Sequence, residues 1–311
     1  MYALIGGFVN FRTGRICCWS AFVASLALAA GSLPATALAS DTTPPSEPPA
    51  STDAVAAPQD LLPTGFEWAE GQHAEVNGIE LYYEVYGEGE PVFLLHGGLA
   101  NGTYWVNQIP AFAEQYQLIV VDSRGHGRST FDDQPITYDL MSSDVLALAD
   151  QLGIDKFAIV GWSDGGIIGL DIAINHPERL TKVVAYGANS DVSGLNPDIA
   201  NSDMFNAYIE AAAEDYSEFS PAPERWEEFL ANIGEMWATL PDWSAEQLAA
   251  ITTPFLILDG RHEEAILTSH AVYLFETIPN AALVLMPDTG HFAMFEQPDE
   301  FNAIVLAYLS G

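Results

Sequence analysis

Cysteine is almost absent from this 311-residue sequence. The two cysteines, Cys17 and Cys18, are adjacent and lie near the N-terminus, so the remaining chain contains none. That remainder therefore cannot form a disulfide, use a thiol as nucleophile or bind a metal through thiolates. An HExxH motif or similar ligand spacing is also missing, and we predict neither a metal nor a cofactor.

Positive charge is scarce as well. Nine lysines and arginines stand against 43 aspartates and glutamates, and Lys156 and Lys182 are the only lysines. A formal net charge of −34 repels phosphate backbones and anionic lipid headgroups, so we expect neither a nucleic-acid nor an integral membrane partner. The excess of acid suits solubility in salty water; the alternative is that it steers cationic substrates.

The N-terminal segment resembles an export signal. Arg12 and Arg15 precede an apolar stretch at 16–30 that is too short to span a bilayer comfortably, and Ala-Leu-Ala at 37–39 is a small-residue cleavage pattern. We predict a signal peptide over 1–39 and export of the mature protein. Cleavage would remove two arginines and no acid, so the net charge would become −36. The alternative is a retained N-terminal membrane anchor.

Residues 40–65 are rich in proline, serine and threonine, which predicts a disordered linker. After it, short apolar runs alternate with helical patterns, at 140–152 and 167–174 for example. An alternating run at 80–86 predicts an antiparallel edge strand. Continuous runs predict strands buried on both faces, at 92–95, 118–121, 157–160, 183–186, 255–258 and 283–286. This alternation indicates an α/β fold with a mostly parallel sheet and helices on both faces.

One segment, 189–251, lacks a convincing strand. Helical patterns at 204–216, 223–240 and 244–251 predict a helical cap between two halves of the core, 66–188 and 252–311. Its tryptophans are expected to pack the cap onto the body, with the alternative that one lines an apolar pocket: Trp226, Trp237 and Trp243.

The strongest chemical signal is Gly-Trp-Ser-Asp-Gly at 161–165, which matches G-x-S-x-G. A strand pattern runs into it and a helical pattern leaves it. We predict Ser163 as a nucleophile on a strained turn, with glycines beside it because neighbouring chain leaves no room for a Cβ.

A serine hydroxyl needs a base. His291 follows a strand near the C-terminus, which preserves the chain order serine, acid, histidine. The acid that orients the base should follow the strand at 255–258; Glu263 is our choice, with Glu264 second and Asp259 third. We expect His96 and His126 to be structural, and surface or turn positions for the remaining histidines: His73, His176, His262 and His270.

An oxyanion hole needs two backbone N–H groups. We expect one from Asp164 and the other from Gly98, with Leu99 as the next choice. We also assign Asp164, Trp162 and Leu99 to substrate binding. The Asp164 carboxylate has two possible roles: it binds a substrate amine, or it only stabilises the helix N-terminus.

Together these motifs resemble the α/β-hydrolase superfamily over about residues 75–308. The matching segments are LLHGG (94–98), VDSRGHGRS (121–129), VGWSDGG (160–166), NHPERL (175–180), LILDGRHEE (256–264) and TGHFAMFEQPDEF (289–301). GWSDGG followed by YGAN (186–189) is most similar to the branch that contains valacyclovir hydrolase and biphenyl hydrolase-like protein. The resemblance implies an eight-stranded, mostly parallel sheet with a helical cap.

The family usually has aspartate where this chain has Glu263, so the loop geometry must differ. Relatives that act as haloalkane dehalogenases or epoxide hydrolases use aspartate at the turn, and Ser163 argues against both activities. We therefore expect a serine hydrolase that cleaves a small carboxylic ester, activated amide or lactone through an acyl-enzyme. The alternatives are an amino-acid ester hydrolase or aminopeptidase-like enzyme that uses Asp164, and a non-catalytic binding protein on the same fold.

Overall fold

The structure is a computed structural model that describes residues 66–311. The signal peptide expected over 1–39 and the linker expected over 40–65 lie outside the described residues, so both stay predictions. Among the helices of the described part, none is long and apolar enough to cross a membrane.

Eight strands form one sheet in the order β1-β2-β4-β3-β5-β6-β7-β8. The strands are β1 (Gln72–Val76), β2 (Ile79–Tyr86), β3 (Glu90–Leu95), β4 (Tyr116–Val121), β5 (Phe157–Trp162), β6 (Leu180–Tyr186), β7 (Phe255–Gly260) and β8 (Ala281–Met286). β2 pairs antiparallel with β1 and β4, and every other pairing is parallel. The expected eight-stranded, mostly parallel sheet is confirmed.

All six residues of β5 and all six of β7 are buried, as expected for strands covered on both faces. β1 is the strand that no apolar run predicted. Only Ala74 and Val76 of its five residues are buried, so its pattern is too weak to distinguish from a loop.

Nine α-helices follow the strands in the described residues. They are α1 (Ile109–Phe112), α2 (Tyr138–Gln151), α3 (Asp164–Asn175), α4 (Asp203–Phe219), α5 (Trp226–Thr239), α6 (Ala245–Ala249), α7 (Thr268–Thr277), α8 (Ala293–Glu296) and α9 (Pro298–Ser310). Of these, α1, α2, α3 and α7 pack against the sheet. Side chains at the N-caps fix several starts. Thr137 accepts a hydrogen bond from the Leu140 N–H before α2, and Ser244 forms a capping box with Gln247 at α6.

The helices α4, α5 and α6 lie between β6 and β7, and we call them the cap. Two tyrosines join the cap to the body. The hydroxyl of Tyr104, from the body, donates to Asp215 Oδ2 of α4 at 2.9 Å. The hydroxyl of Tyr208 of α4 donates to the Gly98 carbonyl after β3. The cap is therefore fixed directly above the carboxyl end of β3 and its following loop.

Candidate active site

Ser163 occupies a sharp turn between β5 and α3. Its backbone has φ 52° and ψ −117°, a conformation that non-glycine residues rarely adopt. Its N–H donates to the Tyr186 carbonyl at 2.7 Å. A Cβ on Gly165 would collide with the backbone of Leu95, and one on Gly161 with the backbone of Gly165. The close approach expected from the sequence is thus present, and it holds the serine at the tip of the turn.

His291 lies in the loop between β8 and α8 and is 2 % exposed. Its carbonyl accepts a 2.9 Å hydrogen bond from Nε1 of Trp162, the residue before the serine. Its N–H donates to Glu264 Oε2 at 2.8 Å. Both His291 and Ser163 line one cavity beneath the cap. The structure therefore brings the expected nucleophile and base to the same site.

Glu263 reaches the other side of the imidazole. Its Oε1 lies 2.7 Å from His291 Nδ1 and accepts hydrogen bonds from the N–H groups of Ala265 (2.7 Å) and Ile266 (3.0 Å). The ring N–H of His291 is not aligned on Oε1 for a hydrogen bond, so this is a contact by distance. Such contacts are often loose before substrate binds. Because Nδ1 faces Glu263, Nε2 is the nitrogen left for the serine.

The other two candidate acids have different positions. The Glu264 carboxylate binds the main-chain N–H of His291 and not its ring. Asp259, at the end of β7, is 1 % exposed; its Oδ1 accepts a 2.8 Å hydrogen bond from the Gly260 N–H. Its carboxyl group faces the Glu263 carboxyl, and each affects the pKa of the other. Glu263 is therefore the acid that the geometry joins to the imidazole.

Burial dominates the proton affinities here. It lowers the pKa of His291, which favours the neutral imidazole that a base requires, although nearby carboxylates oppose the shift. Burial also raises the pKa of Asp259 and of Glu263, while the N–H groups of Ile266 and Ala265 lower that of Glu263. Burial thus favours a proton on this pair, and the main-chain donors favour the charge on Glu263.

The groups expected to form an oxyanion hole meet at the start of α3. The N–H of Asp164 belongs to the first helical turn, where N–H groups have no intrahelical acceptor. Gly98 lines the cavity, and a Cβ there would collide with the Asp164 carboxylate and the Trp237 ring. Leu99 has φ 69° and is buried in the core; its side chain does not belong to the wall of this cavity.

The Asp164 carboxylate points into the cavity rather than capping its helix. Its Oδ1 accepts hydrogen bonds from the Tyr138 hydroxyl at 2.9 Å and from Trp237 Nε1 at 3.0 Å, and its Oδ2 lies 3.1 Å from the same nitrogen. Burial raises the pKa of Asp164 to about 6, while both donors lower it. The carboxylate is thus shared between the body and the cap.

The cavity encloses about 60 Å³. Trp162 lies on its wall as expected, beside Ser163, Asp164 and His291. The cap side is mostly apolar, and its side chains include Leu195, Ile199, Phe205, Ile209, Trp237 and Leu240. Among the described residues, no lysine or arginine lines it. The site therefore combines a reactive polar wall with an uncharged apolar one.

Sequence reasoning missed one contributor, Tyr138. Trp237 corresponds to the alternative that one cap tryptophan lines an apolar pocket, whereas Trp226 packs against Tyr216 as expected. Tyr138 carried no signal, because it begins a helix 25 residues before the serine. The surface or turn position expected for His270 is wrong. His270 lies in α7 and is buried, with 6 % of its surface exposed. Its Nε2 accepts a 3.0 Å hydrogen bond from the N–H of Ser190, which follows β6.

Comparisons with known proteins agree with this geometry. A family model described as "Alpha/beta hydrolase family" matches residues 92–304. A putative carbamate hydrolase, RutD, of Caulobacter sp. (strain K31) is 30 % identical over 273 residues, which cover 77 % of this chain and 98 % of that protein. The chain belongs to the α/β-hydrolase family.

Two further matches define the branch. Serine hydrolase BPHL of Mus musculus is 28 % identical over 75 % of this chain and 84 % of its own length. The structure of a meta-cleavage product hydrolase from Pseudomonas fluorescens IP01 is 26 % identical, with a TM-score of 0.64, and covers 77 % of this chain and 97 % of that one. The resemblance to the biphenyl hydrolase-like branch is confirmed. Relatives of this kind make the protein a hydrolase.

Proposed function

We propose that this protein is a serine hydrolase that cleaves small carboxylic esters through an acyl-enzyme. The observation that supports this most is the meeting of three groups. Ser163, on a strained turn, shares a cavity with His291, and Glu263 lies 2.7 Å from the far nitrogen of that imidazole. A small cavity with one apolar wall suits a short acyl or alcohol group.

In this mechanism His291 Nε2 takes the proton of the Ser163 hydroxyl as Oγ attacks the ester carbonyl. The N–H groups of Asp164 and Gly98 stabilise the oxyanion, and Glu263 stabilises the imidazolium. The intermediate collapses, the C–O bond breaks, and the leaving alcohol takes the proton from His291. Water then attacks the acyl-enzyme by the same route and releases the carboxylic acid and the serine.

The test is hydrolysis of p-nitrophenyl acetate and butyrate by the wild type and by Ser163→Ala. We expect kcat to fall by about 10⁴-fold or more, since loss of the nucleophile leaves only binding and the oxyanion hole. Equal turnover by both proteins would refute the proposal. Labelling of the folded wild type by a fluorophosphonate, absent in Ser163→Ala, separates an enzyme from a non-catalytic binding protein.

A second candidate is an amino-acid ester hydrolase or aminopeptidase-like enzyme. It is favoured by the position of Asp164, the one carboxylate that residues 66–311 place on the cavity wall, whose charge would pair with a substrate ammonium in a partly dry site. Asp164→Asn should then lose activity on valine methyl ester while retaining activity on N-acetylvaline methyl ester. An equal loss on both esters would remove this candidate.

The charge of the cavity restricts either substrate. Because no lysine or arginine of the described residues lines it, a carboxylate on the substrate would meet Asp164 without a compensating cation. We expect p-nitrophenyl butyrate to be cleaved at least about tenfold faster, in kcat/KM, than the mono-p-nitrophenyl ester of succinic acid. The reverse preference would contradict a neutral or cationic substrate.

We also propose that the protein works outside the cytoplasm, on the basis of the basic, apolar and small-residue pattern over 1–39. N-terminal sequencing of the protein from an expressing bacterium tests this. A periplasmic or secreted product should begin at Ser40, whereas a chain that keeps its N-terminus in the membrane fraction would support the anchor instead.

A further inference from the structure

Two carboxyl groups lie buried together behind the imidazole, and the mechanism above uses only one of them. Asp259 is the second-last residue of β7, and Glu263 lies four residues later in the following loop. Asp259 is 1 % exposed and the Glu263 side chain is fully buried. The two carboxyl groups face each other, and each affects the pKa of the other. A direct contact between them needs a proton, since two carboxylates have only acceptors.

The distribution of donors shows which carboxyl keeps its charge. Glu263 Oε1 accepts two main-chain N–H groups and contacts His291 Nδ1. Its Oε2 is buried, yet no donor among the described residues reaches it. Tyr186, the phenol facing this pair, already donates its hydroxyl to the Gly290 carbonyl. A buried carboxylate oxygen without a donor is costly, so a further donor is needed.

We propose that Asp259 is a protonated carboxylic acid that donates its proton in a hydrogen bond to Oε2 of Glu263. Asp259 is then a positioning residue: it never touches substrate, and it holds the longer glutamate as the anion that orients His291. This rests on the proposed function for its effect on catalysis, whereas the proton itself is independent of any activity.

Other ionisable groups surround the pair and affect the same pH range. Glu264 faces Glu263, and His291 faces Asp259; the groups that face His291 in turn are Glu264, Asp259, Asp164 and Glu296. A substitution at Asp259 leaves these in place. The direction in which the acidic limb of the pH profile moves therefore reports the charge of Asp259.

The test compares Asp259→Asn with Asp259→Leu. Asparagine is neutral and can donate an N–H to Oε2, so kcat should stay within about threefold of wild type and the acidic limb of kcat/KM should stay in place. Leucine removes the donor to a charged acceptor, so kcat should fall about tenfold or more at unchanged KM. The acidic limb should move to higher pH, because the unsupported Glu263 carboxylate takes up a proton more readily.

If Asp259 is ionised, the acidic limb of kcat/KM should move in the opposite direction. Both substitutions would then remove a negative charge, proton affinity at Glu263 and His291 would fall, and the acidic limb would move to lower pH. That result, or equal effects of the two variants, would overturn the proposal. If Asp259→Leu fails to fold, Asp259→Asn alone still distinguishes the two signs.

Infrared spectroscopy gives an answer that needs no turnover. The difference spectrum of wild type minus Asp259→Asn at neutral pH should contain the C=O stretch of a protonated carboxyl group. A difference spectrum that shows only carboxylate bands would refute the proton on Asp259. An inactive protein that still shows the protonated band would refute the esterase and leave this assignment intact.

Discussion

The two walls of the cavity are built in different ways. On the body side, the main chain holds the reactive groups: the strained turn holds Ser163, and N–H groups bind the Glu263 and Glu264 carboxylates. On the cap side, apolar side chains such as Phe205 and Ile209 come from a helix that follows β6. In the proposed mechanism the body wall therefore carries the reaction, and the cap wall selects the substrate.

This difference follows from the fold. The carboxyl ends of parallel strands converge at one edge of the sheet, so short loops after β5, β7 and β8 meet there with little freedom. The cap has no such frame. It is attached through packing and through side-chain hydrogen bonds, among them those of Tyr104, Tyr208 and Trp237. Substitutions on the two walls should consequently affect different kinetic constants.

The largest effect is expected on the body wall. Glu263→Gln keeps an acceptor for the Ala265 and Ile266 N–H groups but removes the charge beside His291. We expect kcat on p-nitrophenyl butyrate to fall by about 10³- to 10⁴-fold with little change in KM. Glu264→Gln is the matched control and should cost about tenfold or less. If Glu264→Gln has the larger effect, the acid has been assigned to the wrong residue.

A smaller effect is expected on the cap wall. Ile209→Ala enlarges the apolar side of the cavity, and Ile233→Ala makes the same change elsewhere in the cap, at a residue that does not line the cavity. Ile209→Ala should raise the ratio of kcat/KM for butyrate over acetate esters by about tenfold, because the enlarged cavity accommodates the longer acyl chain. Ile233→Ala should leave that ratio unchanged and only lower stability. Equal ratios in the two variants would mean that the cap does not select the acyl group.

The smallest expected effect is on stability and concerns Asp164, which contacts both walls of the cavity. Burial raises the pKa of Asp164 to about 6, so the unfolded chain releases this proton at lower pH than the folded one. Ionisation of Asp164 therefore lowers wild-type stability as the pH rises from about 4 to about 6. Asp164→Asn keeps an oxygen for Tyr138 and Trp237.

Chemical denaturation at two pH values measures this. Relative to wild type, Asp164→Asn should gain about 2 kcal/mol more in unfolding free energy at pH 7.5 than at pH 4.5. The measurement at pH 4.5 is the internal control, because folded wild type is then mostly protonated at Asp164. A gain that is the same at both pH values would show that the substitution acts through packing and not through the carboxylate's charge.

The sequence by itself determined the sheet and the reactive turn. Continuous apolar runs predict buried parallel strands because such strands carry apolar side chains on both faces. The G-x-S-x-G pattern predicts the turn: the backbone that excludes a Cβ at Gly161 is local, and the one that excludes it at Gly165 is that of Leu95 in β3. The order of serine, acid and histidine along the chain also singled out His291, which lines the same cavity as Ser163. These features depend on local pattern and on the topology of one fold.

Only the tertiary structure decided how the acids divide their tasks. Asp259, Glu263 and Glu264 lie within a span of six residues. Yet Asp259 accepts the Gly260 N–H, Glu263 contacts the imidazole of His291, and Glu264 binds the main-chain N–H of His291. The contacts of Tyr138 and Trp237 with Asp164 join residues 26 and 73 positions apart. Such assignments depend on where burial removes water and which donors converge, and neither is written in local spacing.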